Sequence, residues 1–395
     1  MKTEVHFLLT LLRHQLHDTK LNIASFSSLS EDALDKLSTF HAIRPIIYAL
    51  LEEYPFLFSE TFRDKIADFT RNQRKLHLRF QQTLAHLITI FETKKIAVQP
   101  FKGQVIENLL YPPYLPRESG DIDLLFNPID MPHVLAIFEH LGYKPLIHQP
   151  SPFRIVNTHK TISYMLQSKF QYEISYSKNQ EVLDIHWHAY PPQLPIQDKD
   201  FLFEQWKDKP IEFVFWTLLI HHGAKDNWVR LKHLMDFALW MHQFANTSDW
   251  TEKTRQIKEY GLEKTFAQGL FLIQKHLDYT IPKVLLPNVF FIDLSEIDKI
   301  EIAWNEAKSD KKRGGRLRTI QKWVGKQPGF LNKLTHSFQG IAAFSEPNLG
   351  EYTRIISFPP TFVFLNLTSK ALTYLFVKPL ETWLNKKKKP HVTNK

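Results

Sequence analysis

The run Gly120-Asp121-Ile122-Asp123-Leu124-Leu125-Phe126 constrains this chain more than any other stretch. Side chains on a strand alternate between its faces, so Asp121 and Asp123 share one side while Ile122 and Leu124 share the other. Two carboxylates held that close raise one another's pKa unless a cation or a shared proton lies between them. Oxygen-only ligands of this kind suit Mg2+, which is usually held by one or two carboxylates plus the phosphates of a substrate. Upstream come a mostly apolar strand pattern over Val98 to Phe101, then Lys102-Gly103, a short helical pattern and a proline-studded loop that carries Arg117. Gly103, lacking a side chain, lets backbone N–H groups approach an anion. Lys102 is a point charge suited to phosphate.

A second stretch carries chemistry, Val182-Leu183-Asp184-Ile185-His186-Trp187-His188. Read as a strand, it puts Asp184, His186 and His188 on one face and Leu183, Ile185 and Trp187 on the other. Laid beside the first strand, it makes Asp184 a third carboxylate; the alternative is an edge aspartate that is solvated or paired with a lysine. His186 and His188 are spaced like a metal pair, but no clustered third soft ligand accompanies them. His186 is expected to orient Asp184, to contact phosphate or to serve structure, and His188 to serve structure.

Taken together, Lys-Gly, a helix, Tyr-Pro, Arg and Gly-Asp-Ile-Asp-Leu-Leu resemble the uncharacterised nucleotidyltransferase family of the DNA polymerase β-like superfamily. His222-Gly223-Ala224 followed by Trp228, Arg230-Leu231-Lys232 and Asp236 is similar to a pattern that follows the family's catalytic domain. The resemblance implies a glycine turn for the triphosphate, an Asp-x-Asp strand for catalytic metals and a third carboxylate on a neighbouring strand. Residue by residue, it makes Asp121, Asp123 and Asp184 the catalytic metal ligands. Lys102, Gly103, Arg117, His186, Arg230 and Lys232 become contacts of the nucleotide, with Arg230 and Lys232 lining the nucleotide or acceptor cleft. Trp228 stands either as a base-stacking platform or as core, and Asp236 either acts on substrate or pairs with a cation. The implied reaction moves an NMP group from an NTP to a hydroxyl or phosphate acceptor, which is a small molecule, a protein or a tRNA. Mg2+ is the implied cofactor and Mn2+ its substitute. One departure stands out: the superfamily turn usually reads Gly-Ser or Gly-Gly, whereas Gly103 precedes Gln104 and 17 residues, 104 to 120, separate Gly103 from Asp121, a longer insert than is typical. Two rival readings use the same residues. A metal-dependent phosphohydrolase would add His186 and His188 as ligands, and a non-catalytic nucleotide-binding module would keep the fold alone.

Composition narrows the class. At 395 residues, 43% hydrophobic and 23% charged, the chain is long enough for two or three packed domains. With no cysteine, disulfide frameworks, thiolate zinc sites and cysteine nucleophiles are excluded, and a cytoplasmic location fits. The formal charge of +9 favours polyanionic partners, although the runs Lys386 to Lys389 and Lys311 to Arg318 read as solvated segments. The strip Arg71, Arg74, Lys75 and Arg79 reads as the wet face of a helix. No signal peptide is recognisable near Phe7 to Leu12. The longest apolar candidate, Phe362 to Val377, is interrupted by Asn366 and Lys370, so it is expected to be a packed helix and not a membrane span. Nothing in the sequence fixes the oligomeric state.

These readings give an α+β chain with a small mixed β-sheet of nucleotidyltransferase type. Residues 1–95 form a helical N-terminal region, 96–200 the catalytic domain, 201–385 a helical C-terminal domain and 386–395 a basic tail. Helices are expected after Ser30, over Ala42 to Glu53, Phe58 to Phe91 and Leu262 to Leu277, and from Met131 to a stop at Gly142. Further helices are expected from Phe213 to a stop at Gly223, over Asp298 to Lys308 and over about 361–385. Thr161 to Leu166 and Phe170 to Tyr176 suggest two more strands.

Overall fold

Strand β2, Ile122–Phe126, lies between an antiparallel neighbour, β1 (Val98–Phe101), and a parallel one, β5 (Glu181–His186). The computed structural model describes residues 2–19, 21, 29–146, 158–190, 209–288, 292–307, 324, 330–345, 358–377, 379–380 and 383. The basic runs Lys311 to Arg318 and Lys386 to Lys389 lie outside them. The mixed sheet runs β1-β2-β5-β4-β3, with β3 at Lys144–Pro145 and β4 at Glu173–Lys178. A parallel pair cannot be joined by a tight turn. Residues 127–180 therefore form a long crossover that holds helix α6 (Met131–His140), β3, helix α7 (Thr158–Leu166) and β4.

Sequence alone placed most of these elements. Ser30 caps α2 (Glu31–His41) by accepting from the Ala33 N–H, and Ser59 caps the long α4 (Glu60–Thr93) by accepting from the Phe62 N–H. Helix α1 (Thr3–His17) buries Leu8, Leu12 and Leu16, and α3 spans Arg44–Glu53. Thr161 to Leu166, expected as a strand, is instead the second half of α7. Thr161, Ile162 and Met165 are its buried side chains, a helical spacing, and the latter two pack under the sheet. Tertiary packing of that face overrides the β preference of Thr and Ile.

A second correction concerns Gly223, expected to stop a helix. Helix α8 (Pro210–Thr217) runs on through a π-helical segment, Leu218–Lys225. A Cβ on Gly223 would lie 2.4 Å from Thr265 Cγ2 and 2.6 Å from Trp228 Cζ2. The glycine permits close packing here and does not end the helix. Helix α9 (Leu231–Phe244) follows, then α10 (Trp250–Glu259), α11 (Glu263–Leu277), α12 (Leu294–Glu306), α13 (Phe330–Ser345) and α14 (Val363–Leu372).

Burial does not follow chain order. One core joins α1, α2 and α3 to side chains of α8 to α12, while a second joins the sheet to α4, α6 and α7. His41 helps to close the first. Its Nδ1 accepts from the Leu231 N–H at 3.1 Å and its Nε2 donates to the Trp304 carbonyl at 3.2 Å, while Trp304 Nε1 donates to the Trp228 carbonyl at 2.8 Å. Only the neutral ring fits these partners, and burial pushes the His41 pKa down from 6.5 to about 3.

A folded pKa depressed below the unfolded one gives stability that is complete above 6.5 and lost as pH falls toward about 3. Denaturant unfolding of His41→Ala is expected to show a loss of about 3 kcal/mol at neutral pH, from two buried hydrogen bonds and a cavity. That difference from wild type should shrink as the pH is lowered through this window.

Candidate active site

Parallel pairing sets Asp123 opposite Asp184 across β2 and β5. Asp121, the residue just before β2, lines the same cleft as both, a cavity of about 760 Å³. The first carboxylate is bound on one oxygen by two donors: Asp123 Oδ1 lies 3.2 Å from Lys102 Nζ and 3.0 Å from His186 Nε2. Burial opposes ionisation of Asp123, but Lys102 and His186 outweigh it and hold the carboxyl well below the usual range. At Asp121 the opposing pull of Lys102 and Lys232 is the smaller effect. Burial, with Asp123 and Asp184 beside it, pushes its pKa from 3.8 up to about 7. Burial and Asp123 also raise Asp184, which accepts a hydrogen bond from Ser175 Oγ at 2.6 Å.

Lys102 reaches this position from an unusual turn. Its φ of 51° and ψ of −119° place a non-glycine residue in the left-handed half of backbone space. Helix α5 (Gly103–Leu110) begins at the next residue. A Cβ on Gly103 would sit 3.2 Å from Ser119 Oγ and 3.9 Å from Asp123 Oδ2, so the absent side chain lets the helix start close against the carboxylates.

Several residues of the site escaped the sequence reading. Glu173 Oε2 lies 3.9 Å from Lys102 Nζ and 3.5 Å from His186 Nδ1, while its Oε1 lies 3.8 Å from Lys225 Nζ. Lys225 in turn donates to Tyr172 Oη at 2.7 Å. Burial opposes ionisation of Glu173, yet Lys225, Lys102 and His186 together keep its carboxyl below the ordinary range. A signal for it existed in the sequence. Asn179 and Gln180, both with positive φ, form a two-residue hairpin turn, and that turn sets Glu173 opposite His186 and Ser175 opposite Asp184.

The facing wall is basic. Arg230 and Lys232 line it; Lys232 Nζ donates to the Glu118 carbonyl at 3.0 Å. Burial, reinforced by Arg117, lowers the Lys232 pKa to about 8. Arg117 also lines the cleft and pairs with Asp236. Its Nε lies 3.0 and 3.1 Å from the two Asp236 oxygens and its Nη2 2.7 Å from Oδ2. Asp236 also accepts from Tyr111 Oη at 2.6 Å and from His222 Nε2 at 2.9 Å. Trp228 is fully buried and donates to the Thr265 carbonyl at 3.2 Å, so of its two expected roles the structure assigns core.

The donor set fits a divalent cation. Ligand atoms of Asp123, Asp184 and His186 all lie within 4.8 Å of one another, and His186 Nδ1 is buried without a hydrogen bond. Two carboxylates with a third beside them suit a hard ion. Among the described residues, His188 is not part of that group.

A family model described as uncharacterised nucleotidyltransferase matches residues 27–278. The chain belongs to this family. It is a transferase of phosphorus-containing groups, and the matched stretch holds the whole sheet, the turn at Lys102 and both walls of the cleft. No curated protein and no solved structure matches it.

The raised pKa of Asp121 has a measurable consequence. A carboxyl whose folded pKa lies above its unfolded value costs stability as pH rises from 3.8 to about 7. In metal-free protein, Asp121→Asn is therefore expected to raise stability above that window by on the order of 2 kcal/mol, discounted for residual solvent access. No gain is expected below it. Thermal melts across the window check both halves.

Proposed function

We propose that this transferase moves a nucleoside monophosphate from an NTP to a hydroxyl or phosphate acceptor, with Mg2+ as the working ion and Mn2+ as its substitute. The observation that carries this reading is the meeting of Asp121, Asp123 and Asp184 in one cleft beside the Lys102-Gly103 turn. A divalent ion held by these carboxylates supplies neutralisation of charge on the α-phosphate and on the departing pyrophosphate.

The chain's own residues do the rest. Lys102, already 3.2 Å from Asp123, turns its ammonium to a phosphate oxygen when the nucleotide enters. The backbone at Gly103, at the start of α5, faces the same oxygens with N–H groups. His186 keeps Asp123 ionised and aimed through its Nε2–H. Asp184, raised in pKa and fixed by Ser175, accepts the proton of the acceptor hydroxyl. Arg117, locked by Asp236, adds fixed positive charge to the basic wall beside Arg230 and Lys232. Positioning and charge neutralisation account for most of the rate in such a site. As part of the same reading we place the NTP substrate, and so the chain, in the cytoplasm; the acceptor is a small molecule, a protein or a tRNA.

The test is transfer of label from α-labelled NTPs to cell-extract acceptors, with pyrophosphate release measured alongside. Asp121→Asn, Asp123→Asn and Asp184→Asn are each expected to lower transfer by about a hundredfold or more with the fold retained. Unchanged transfer in Asp121→Asn would refute the assignment. Phosphate release without an acceptor would point to a hydrolase instead.

A further inference from the structure

Helix α14 carries its polar and apolar faces in reverse, and α13 exposes an apolar stripe. In α14 and the π-helical turn that continues it, Thr373–Val377, the buried side chains are Asn366, Lys370 and Thr373, spaced along one face. Phe364 is 77% exposed, Leu375 68% and Phe376 67%. On α13, Leu334, Phe338 and Ile341 recur at the spacing of a single helical stripe and are likewise exposed.

The buried polar groups are satisfied. Asn366 Nδ2 donates to the carbonyls of Phe358 and Pro359, both at 3.2 Å, and its Oδ1 accepts from the Phe358 N–H at 3.1 Å. Lys370 Nζ donates to the Phe344 carbonyl at 2.7 Å, near the end of α13, and lies 3.5 Å from the centre of the Phe344 ring. The Lys370 contact thus ties α14 to α13, while Leu334, Phe338 and Ile341 on one helix and Phe364, Leu375 and Phe376 on the other face outward. Water penalises that arrangement, and an apolar medium rewards it.

The charge of the segment indicates which medium. Between residues 361 and 395 seven lysines stand against one acidic residue, Glu381, and four of the lysines, Lys386 to Lys389, follow closely on Trp383. Helix α13 contains no acidic residue. No described helix is long and apolar enough to cross a membrane, so a helix of this kind lies in the plane of a lipid interface, with aromatic rings at headgroup level and lysines on phosphates. A second copy of the chain carries the same formal charge of +9, which opposes self-association. The pair also lies beyond the stretch that matches the family, 27–278.

We propose that α13 and α14 form an interfacial anchor that seats this transferase on an anionic lipid surface. Cosedimentation of the full chain with vesicles tests it, using phosphatidylcholine alone and phosphatidylcholine mixed with phosphatidylglycerol. The chain is expected to bind the mixed vesicles, and more weakly as salt is raised. The combined variant Phe364→Asp, Leu375→Asp and Phe376→Asp is expected to bind them about tenfold more weakly or worse, with an unchanged circular dichroism spectrum and melting point because these side chains are exposed. Replacing Lys386 to Lys389 by glutamine is expected to weaken binding to the mixed vesicles alone. Absence of binding, equal binding to both vesicle types, or full binding by the aspartate variant overturns the proposal. So does a concentration-dependent dimer that the aspartate variant disperses while no vesicle binding is seen.

Discussion

Repulsion among three carboxylates governs the centre of this molecule. Asp121, Asp123 and Asp184 are brought together by the parallel pairing of β2 with β5, and like charges at such spacing cannot all ionise without a counter-charge. Lys102 supplies part of it, and the result is unequal: Asp123 is held ionised by Lys102 and His186, while Asp121 keeps its proton to about pH 7. A cation that enters the site relieves this imbalance, and ion binding is thereby coupled to proton release.

The architecture around the carboxylates follows from holding them there. A parallel pair demands a crossover, and the crossover returns as the hairpin β4-β5, whose register carries Glu173 and Ser175 to the same centre. Glu173 faces Lys102, His186 and Lys225 at once. In a place of low dielectric such a network keeps its geometry only while every member has a partner. The strained turn at Lys102 is tolerated for the same reason, since the surrounding ion pairs fix its side chain.

Opposite the acidic floor stands a wall of positive charge anchored elsewhere. Asp236 binds Arg117, Tyr111 and His222, and this tie joins the loop before β2 to helix α9. The first core, which unites the N-terminal helices with α8 to α12, sets that wall against the sheet. A cleft with carboxylates on one side and guanidinium and ammonium groups on the other has the charge pattern needed for a polyphosphate that carries a divalent ion.

The sequence by itself determined what alternation and capping can specify. It gave the carboxylate pair, Asp184 on a second strand, the serine cap of α2, the short helix after Gly103 and the family. These signals are local, because strand period, helix period and turn chemistry act over a few residues. It misjudged Thr161 to Leu166 because β-branched residues favour strands in isolation, whereas Ile162 and Met165 are used here to cover a sheet. Only the tertiary structure decided that Asp236 grips Arg117, that Trp228 is core, that Glu173 and Lys225 join the centre and that α14 buries its polar face. Each of these depends on which distant segment arrives alongside, and partners 119 residues apart, as Arg117 and Asp236 are, leave no periodic trace in the chain.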